Sequence, residues 1–87
     1  MKFVIIDVRT PAEYALGHVE NSLNIDIFSP QFLVEIQKLD KNQNYHLYCR
    51  TGNRSGQAET AMKQLGFNDV KNIGGLDEAA EMYSFVD

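Results

Sequence analysis

Cys49 is followed at once by Arg50 and, after Thr51, Gly52 and Asn53, by Arg54 and Ser55. A thiol reacts as its thiolate, and the thiolate is favoured where cations or a helix N-terminus stand beside the sulfur. Two of the chain's three arginines fall in this stretch. Arg50 to Ser55 is expected to form a loop whose backbone N–H groups turn inward, with a helix starting after it to add partial positive charge. Gly52 and Asn53 are the residues best able to take the positive φ that a curled loop requires. This arrangement points to covalent sulfur chemistry at Cys49 with an anionic reaction partner.

The flanking sequence supplies elements that could hold such a loop. Phe3 to Val8 is a nearly unbroken β-branched run, as expected for a central strand covered on both faces. Thr10-Pro11-Ala12-Glu13 reads as a capping box with proline at the first helical position, opening a short helix that ends near Gly17. Leu23 to Ile25 is a short strand, and Ser29-Pro30 opens a second helix with Phe32, Leu33, Ile36 and Leu39 on one face. After the polar turn Lys41 to Asn44, Tyr45 to Tyr48 is a strand that delivers Cys49 to its carboxyl end, where open parallel sheets carry their ligand sites.

Beyond the loop, Ala58, Ala61, Met62 and Leu65 recur at helical spacing, Gly66 suits a left-handed C′ position, and Phe67 supplies the apolar residue after it. Val70 to Ile73 is a last strand, Gly74-Gly75 a tight turn, and Leu76 to Met82 a terminal helix. Strands alternating with helices predict an α/β domain: a small, mostly parallel central sheet of about four strands flanked by helices. Residues 1–87 are expected to form one domain.

Composition limits the partners. The charge of −4 does not suit a nucleic-acid or anionic-membrane surface, which needs a broad excess of lysine and arginine. One cysteine forms no internal disulfide and no cysteine-rich metal site. The run Phe3 to Ile6 is too short for a membrane span or a signal peptide. A cytoplasmic monomer is expected, or a periplasmic one if a signal segment precedes this numbering.

Asp7-Val8-Arg9, Glu13-Tyr14, Gly17-His18-Val19, Asn24, the Cys49 to Arg54 loop, Leu65-Gly66-Phe67 and Gly74-Gly75 together resemble the single-domain rhodaneses, and among them the compact phage-shock-type members. The resemblance implies that a donor such as thiosulfate gives a sulfane sulfur to Cys49. A thiophilic acceptor such as cyanide, a thiol or a thioredoxin-like protein then attacks the persulfide, without metal or cofactor. Arg50 or Arg54 would attract the donor anion, and the N–H groups of Arg50, Thr51, Gly52, Asn53, Arg54 and Ser55 would hold the outer sulfur. Ala79 stands about where the family often has a tryptophan, and Ser22 where a small apolar residue is common.

Plainer roles stand beside these. Arg54 could neutralise a carboxylate on the rim, and Arg50 could be merely solvated. Asp7 and Arg9 read as a structural pair at a strand end, His18 and His46 as packed or edge histidines, and Tyr14 and Tyr48 as core or rim aromatics. Two other functions compete. A cysteine-dependent phosphatase or arsenate reductase has five residues between cysteine and arginine, whereas Cys49 and Arg54 enclose four. A persulfide carrier or protein-binding module would keep the loop and show little turnover.

Overall fold

The computed structural model describes residues 3–87; Met1 and Lys2, with which the expected domain begins, lie outside the described residues. In chain order the elements are β1 (Phe3–Asp7), α1 (Pro11–Ala15), β2 (His18–Val19), β3 (Leu23–Asn24), α2 (Phe32–Gln37), β4 (Asn44–Tyr48), α3 (Asn53–Gln64), β5 (Asp69–Gly74), α4 (Leu76–Met82) and β6 (Phe85–Val86). Four of the strands form a parallel sheet in the order β3-β1-β4-β5. The expected α/β architecture is therefore present, with the β-branched first strand in the interior.

Parallel pairing brings the carboxyl ends of β1, β4 and β5 to one edge. Asp7 lies beside Tyr48. A register shift after Leu47 then sets Tyr48 opposite Gly74 and leaves Ile73 as an extra residue on β5. Such irregularities bend a strand and re-aim the side chains beyond the bend, and Cys49 is the very next residue.

Alternation along β4 divides the core. Leu47 and Cys49 face a cluster with Ile6, Val8, Phe32, Ile36, Ala58 and Met62, while Tyr48 faces the opposite side with Val19, Ile73 and Ala79. Ala79, which the resemblance sets about where a tryptophan is common, is fully buried there.

Local signals account for several boundaries. The capping box is formed, with Thr10 Oγ1 accepting the Glu13 N–H at 3.3 Å and Glu13 Oε1 accepting the Thr10 N–H at 3.1 Å. At the end of α3, Gly66 has φ +96° and the Phe67 N–H donates to Met62 O at 3.1 Å. That is the Schellman closure expected from Gly66-Phe67.

Three expectations need correction. Ser29-Pro30 forms a turn, closed by the Phe32 N–H on Ser29 O, and α2 starts only at Phe32. Its buried face is Phe32 and Ile36, whereas Leu33 is 53% exposed, because a residue one step after Phe32 is rotated by about 100° around the helix. A second, antiparallel ribbon pairs β2 with β6, His18 beside Val86 and Val19 beside Phe85. Two-residue strands carry no periodicity, so nothing local announced it.

Candidate active site

Cys49 leaves β4 with its N–H donating to Gly74 O at 3.2 Å, and its side chain is fully buried. The surrounding donors nevertheless converge on it. The Gly52 N–H reaches Sγ at 3.0 Å, the Ser55 N–H at 3.5 Å, and Ser55 Oγ lies 3.4 Å away. Burial pushes the thiol up, but hydrogen bonds from the Ser55 side chain and from the backbone of Ser55, Gly52 and Thr51 outweigh it. The net result is a Cys49 pKa below the ordinary thiol value. Donors that favour the charged form lower an acid's pKa even in an apolar setting. The sulfur thus combines a hydrocarbon environment on the sheet side with a polar cap from the loop.

The loop is shorter than expected. α3 begins at Asn53, with Gly52 as its N-cap at φ +101°, so Arg54 and Ser55 sit in the first helical turn. Only Arg50, Thr51 and Gly52 are non-helical between Cys49 and α3. Gly52 takes the positive φ and Asn53 does not: once a glycine supplies the reversal, helical geometry can begin at the next residue. The N-cap Gly52 and, in the first turn of α3, Ser55 direct their N–H groups at the sulfur, the anion-favouring arrangement of a helix N-terminus.

The turn after β5 braces this loop from behind. Leu76 N–H donates to Arg50 O at 3.1 Å, and Thr51 bridges to Gly75. A Cβ on Gly75 would stand 2.5 Å from Arg50 O and 2.9 Å from Thr51 Cα. The Gly74-Gly75 pair is thus required by close backbone approach as well as by the turn.

Arg54 proves to be paired. Its two terminal nitrogens donate to the two oxygens of Glu13 at 2.7 and 2.9 Å, and its guanidinium lies 5.7 Å from the centre of the Phe28 ring. Arg54 in turn lowers the Glu13 carboxyl to about 2. The rim-carboxylate role weighed for Arg54 is the one the geometry displays. Arg50 is exposed, and among the described residues no carboxylate pairs with it. It borders a shallow cavity of about 290 Å³ that Leu16, Leu76 and Phe85 also line.

The remaining singled-out residues hold structural positions. Asp7 and Arg9 form a buried ion pair, and Arg9 also donates to Gly17 O at 2.7 Å, fixing the turn after α1. Asn24 ties β3 to the same place through Asp7 O and Arg9 O. Tyr48 OH accepts the Val19 N–H at 2.9 Å, and burial is the main cause that pushes its pKa up to about 12. Tyr14 and His18 stack at 3.6 Å, and His18 Nδ1 donates to Tyr14 O. His46 stacks on Phe3 and hydrogen-bonds Tyr83 OH.

Two residues of the site escaped the sequence reading. Glu13 was visible as a capping residue and as part of the resemblance but without a role at the site, and its partner Arg54 is 41 positions away. Asn72 sits beside the loop, contacting Gly52 O, Ser55 Oγ and Gly74 N–H through its amide. The signal available for it was a polar side chain inside the Val70 to Ile73 strand run.

The sequence matches the Rhodanese-like domain family over residues 1–81. The chain belongs to the rhodanese family. It is 36% identical over 75 residues to the thiosulfate sulfurtransferase PspE of Escherichia coli, covering 86% of this chain and 72% of that protein. It is also 42% identical over 82 residues to a tRNA uridine(34) hydroxylase of an Enterobacter species, but spans only 24% of that longer protein. Among solved structures, a rhodanese with anions from E. coli superposes with a TM-score of 0.82 at 32% identity over 99% of both chains. A rhodanese-like domain from Anabaena reaches 0.87 at 22% identity over 99% of this chain and all of that one, which speaks for the shared fold. Among the described residues of this rhodanese no helix is long and apolar enough to cross a membrane.

Proposed function

We propose that this rhodanese is a sulfurtransferase that moves a sulfane sulfur from thiosulfate, or a similar donor, to a thiophilic acceptor through a persulfide on Cys49. The observation that carries the reading is the convergence of the Gly52 and Ser55 donors on Sγ at the carboxyl end of a parallel strand. The likeness to a thiosulfate sulfurtransferase over most of both chains supports it.

In the first step the Cys49 thiolate attacks the sulfane sulfur of thiosulfate. A sulfur–sulfur bond forms, the bond to the sulfonate sulfur breaks, and sulfite leaves with the electron pair. In the second step the acceptor, cyanide or a thiolate, attacks the outer sulfur, and Cys49 departs as the thiolate it began as. Two displacements through a covalent intermediate give ping-pong kinetics. The fixed N–H donors keep Cys49 ionised for the first displacement and stabilise the charge that returns to its sulfur in the second.

In this reading Arg50 receives the donor, because Arg54 would first have to give up a bidentate carboxylate. The same engagement counts against a cysteine-dependent phosphatase, whose arginine must hold the phosphoryl oxygens. No histidine is needed as a base when the thiol ionises within its ring of donors. A carrier role, with sulfur arriving from a protein and leaving to a thioredoxin-like acceptor, uses the same thiolate and is the second reading.

The test is to incubate the purified chain with thiosulfate, weigh it intact, and assay thiocyanate after adding cyanide. One added sulfur atom, absent in Cys49→Ser, and steady thiocyanate production are expected. An adduct without turnover selects the carrier; neither adduct nor thiocyanate defeats the thiosulfate sulfurtransferase and leaves a carrier loaded by a protein, which an intact mass after incubation with a persulfidated protein donor then tests.

A further inference from the structure

Asn72 contributes to the site although its residue type has no part in sulfur transfer. Its Nδ2 donates to Gly52 O at 3.0 Å, and its Oδ1 accepts the Gly74 N–H at 2.9 Å and the Ser55 hydroxyl at 2.7 Å. These partners fix the amide's orientation, because the Gly52 carbonyl requires a donor and the Gly74 N–H an acceptor. The backbone N–H of Asn72 is in turn held by Glu59 Oε2 at 3.0 Å.

The single hydroxyl proton of Ser55 has a nearer acceptor in Asn72 Oδ1, at 2.7 Å, than in Cys49 Sγ, at 3.4 Å. The dependable donor to the sulfur is therefore the Gly52 N–H, at 3.0 Å. Gly52 is also the most easily rotated residue of the loop, a glycine at φ +101°, and Asn72 holds its carbonyl. Gly56 makes room for this grip: a Cβ there would stand 3.3 Å from Asn72 Nδ2, and a glycine inside a helix otherwise costs stability.

We propose that Asn72 is a positioning residue for the Cys49 thiolate, clamping Gly52 so that its N–H stays aimed at the sulfur. This deepens the sulfurtransferase reading and rests on it for its purpose, but the clamp is measurable by itself.

Since Asn72 also competes with the sulfur for the Ser55 proton, the test removes that proton from both sides of the comparison. Ser55→Ala is set against Ser55→Ala with Asn72→Leu, and thiolate absorbance is followed against pH with Cys49→Ser as the blank. The charged groups around the sulfur are Arg54 with its partner Glu13, the buried pair of Asp7 at the end of β1 and Arg9 just after it, and exposed Arg50, and both variants retain them all; Glu59 behind Asn72 is likewise unchanged.

Losing one well-aimed donor should raise the midpoint by about one pH unit, leaving about tenfold less thiolate below both midpoints. An unchanged or lowered midpoint overturns the clamp. Circular dichroism checks folding. If the leucine variant does not fold, Asn72→Ser, too short to reach Gly52 O, carries the same prediction.

Failure of the clamp and failure of the enzyme reading are separable through the intact mass of the unmutated protein after thiosulfate. A persulfide with an unmoved midpoint removes Asn72's role only. A raised midpoint without any persulfide supports the clamp and defeats sulfur transfer from thiosulfate.

Discussion

Replacing Glu13 with glutamine isolates the charge that joins α1 to α3 across the mouth of the site. The side-chain carbonyl of glutamine can still accept the Thr10 N–H, so the capping box survives, while the bidentate partner of Arg54 is lost. The Glu13 carboxyl is lowered from 4.5 to about 2, chiefly by its hydrogen bonds to Arg54. At about 1.4 kcal/mol for each pH unit, that sets a ceiling of about 3 kcal/mol on its contribution. The two side chains are 18% and 22% exposed, so water screens part of it and the expected loss at neutral pH is about 1–2 kcal/mol.

The pH dependence gives the sharper check. A carboxyl whose folded pKa is depressed stabilises the fold above its unfolded pKa and loses that contribution as pH falls through the folded value. The gap between the parent and Glu13→Gln should be constant above about pH 4.5 and narrow steadily below it. Urea unfolding of both proteins at pH 7, 4 and 3 measures this. A gap that is absent at pH 7, or that stays the same size at pH 3, would refute the assignment of an ion pair between Glu13 and Arg54.

The loop yields two further expected outcomes. Gly75→Ala should lower stability by about 2 kcal/mol or more, because its Cβ would collide with Arg50 O at 2.5 Å; it should also slow persulfide formation, as read by thermal unfolding and intact mass. Arg50→Ala should raise the KM for thiosulfate several-fold while sparing a neutral sulfur donor, and equal effects on both donors would remove its proposed electrostatic role.

The features legible in the sequence were local in origin. The run Phe3 to Val8 has the composition of an interior parallel strand and is one. Thr10 and Glu13 are three residues apart, close enough for the capping box to form from neighbours alone. Gly66-Phe67 closes α3 through bonds that span only a few residues. The position of Cys49 between an apolar strand and a helix made it the reactive candidate, because that junction by itself brings free N–H groups to the sulfur.

The tertiary structure decided which partners those local pieces found. Arg54 could have met a substrate anion or a carboxylate, and only the folded chain brings Glu13 to it across 41 positions. Asn72 reaches Gly52 across 20 positions, because β5 lies beside β4 in a register that includes an extra residue. Leu33 and Asn53 departed from expectation for a related reason: which helical face is covered, and at which residue the helix can begin, are set by the sheet and by Gly52. Short-range chemistry thus marked most of the elements and the candidate thiol, while long-range pairing, which leaves no period or spacing in the chain, chose the groups that stand around it.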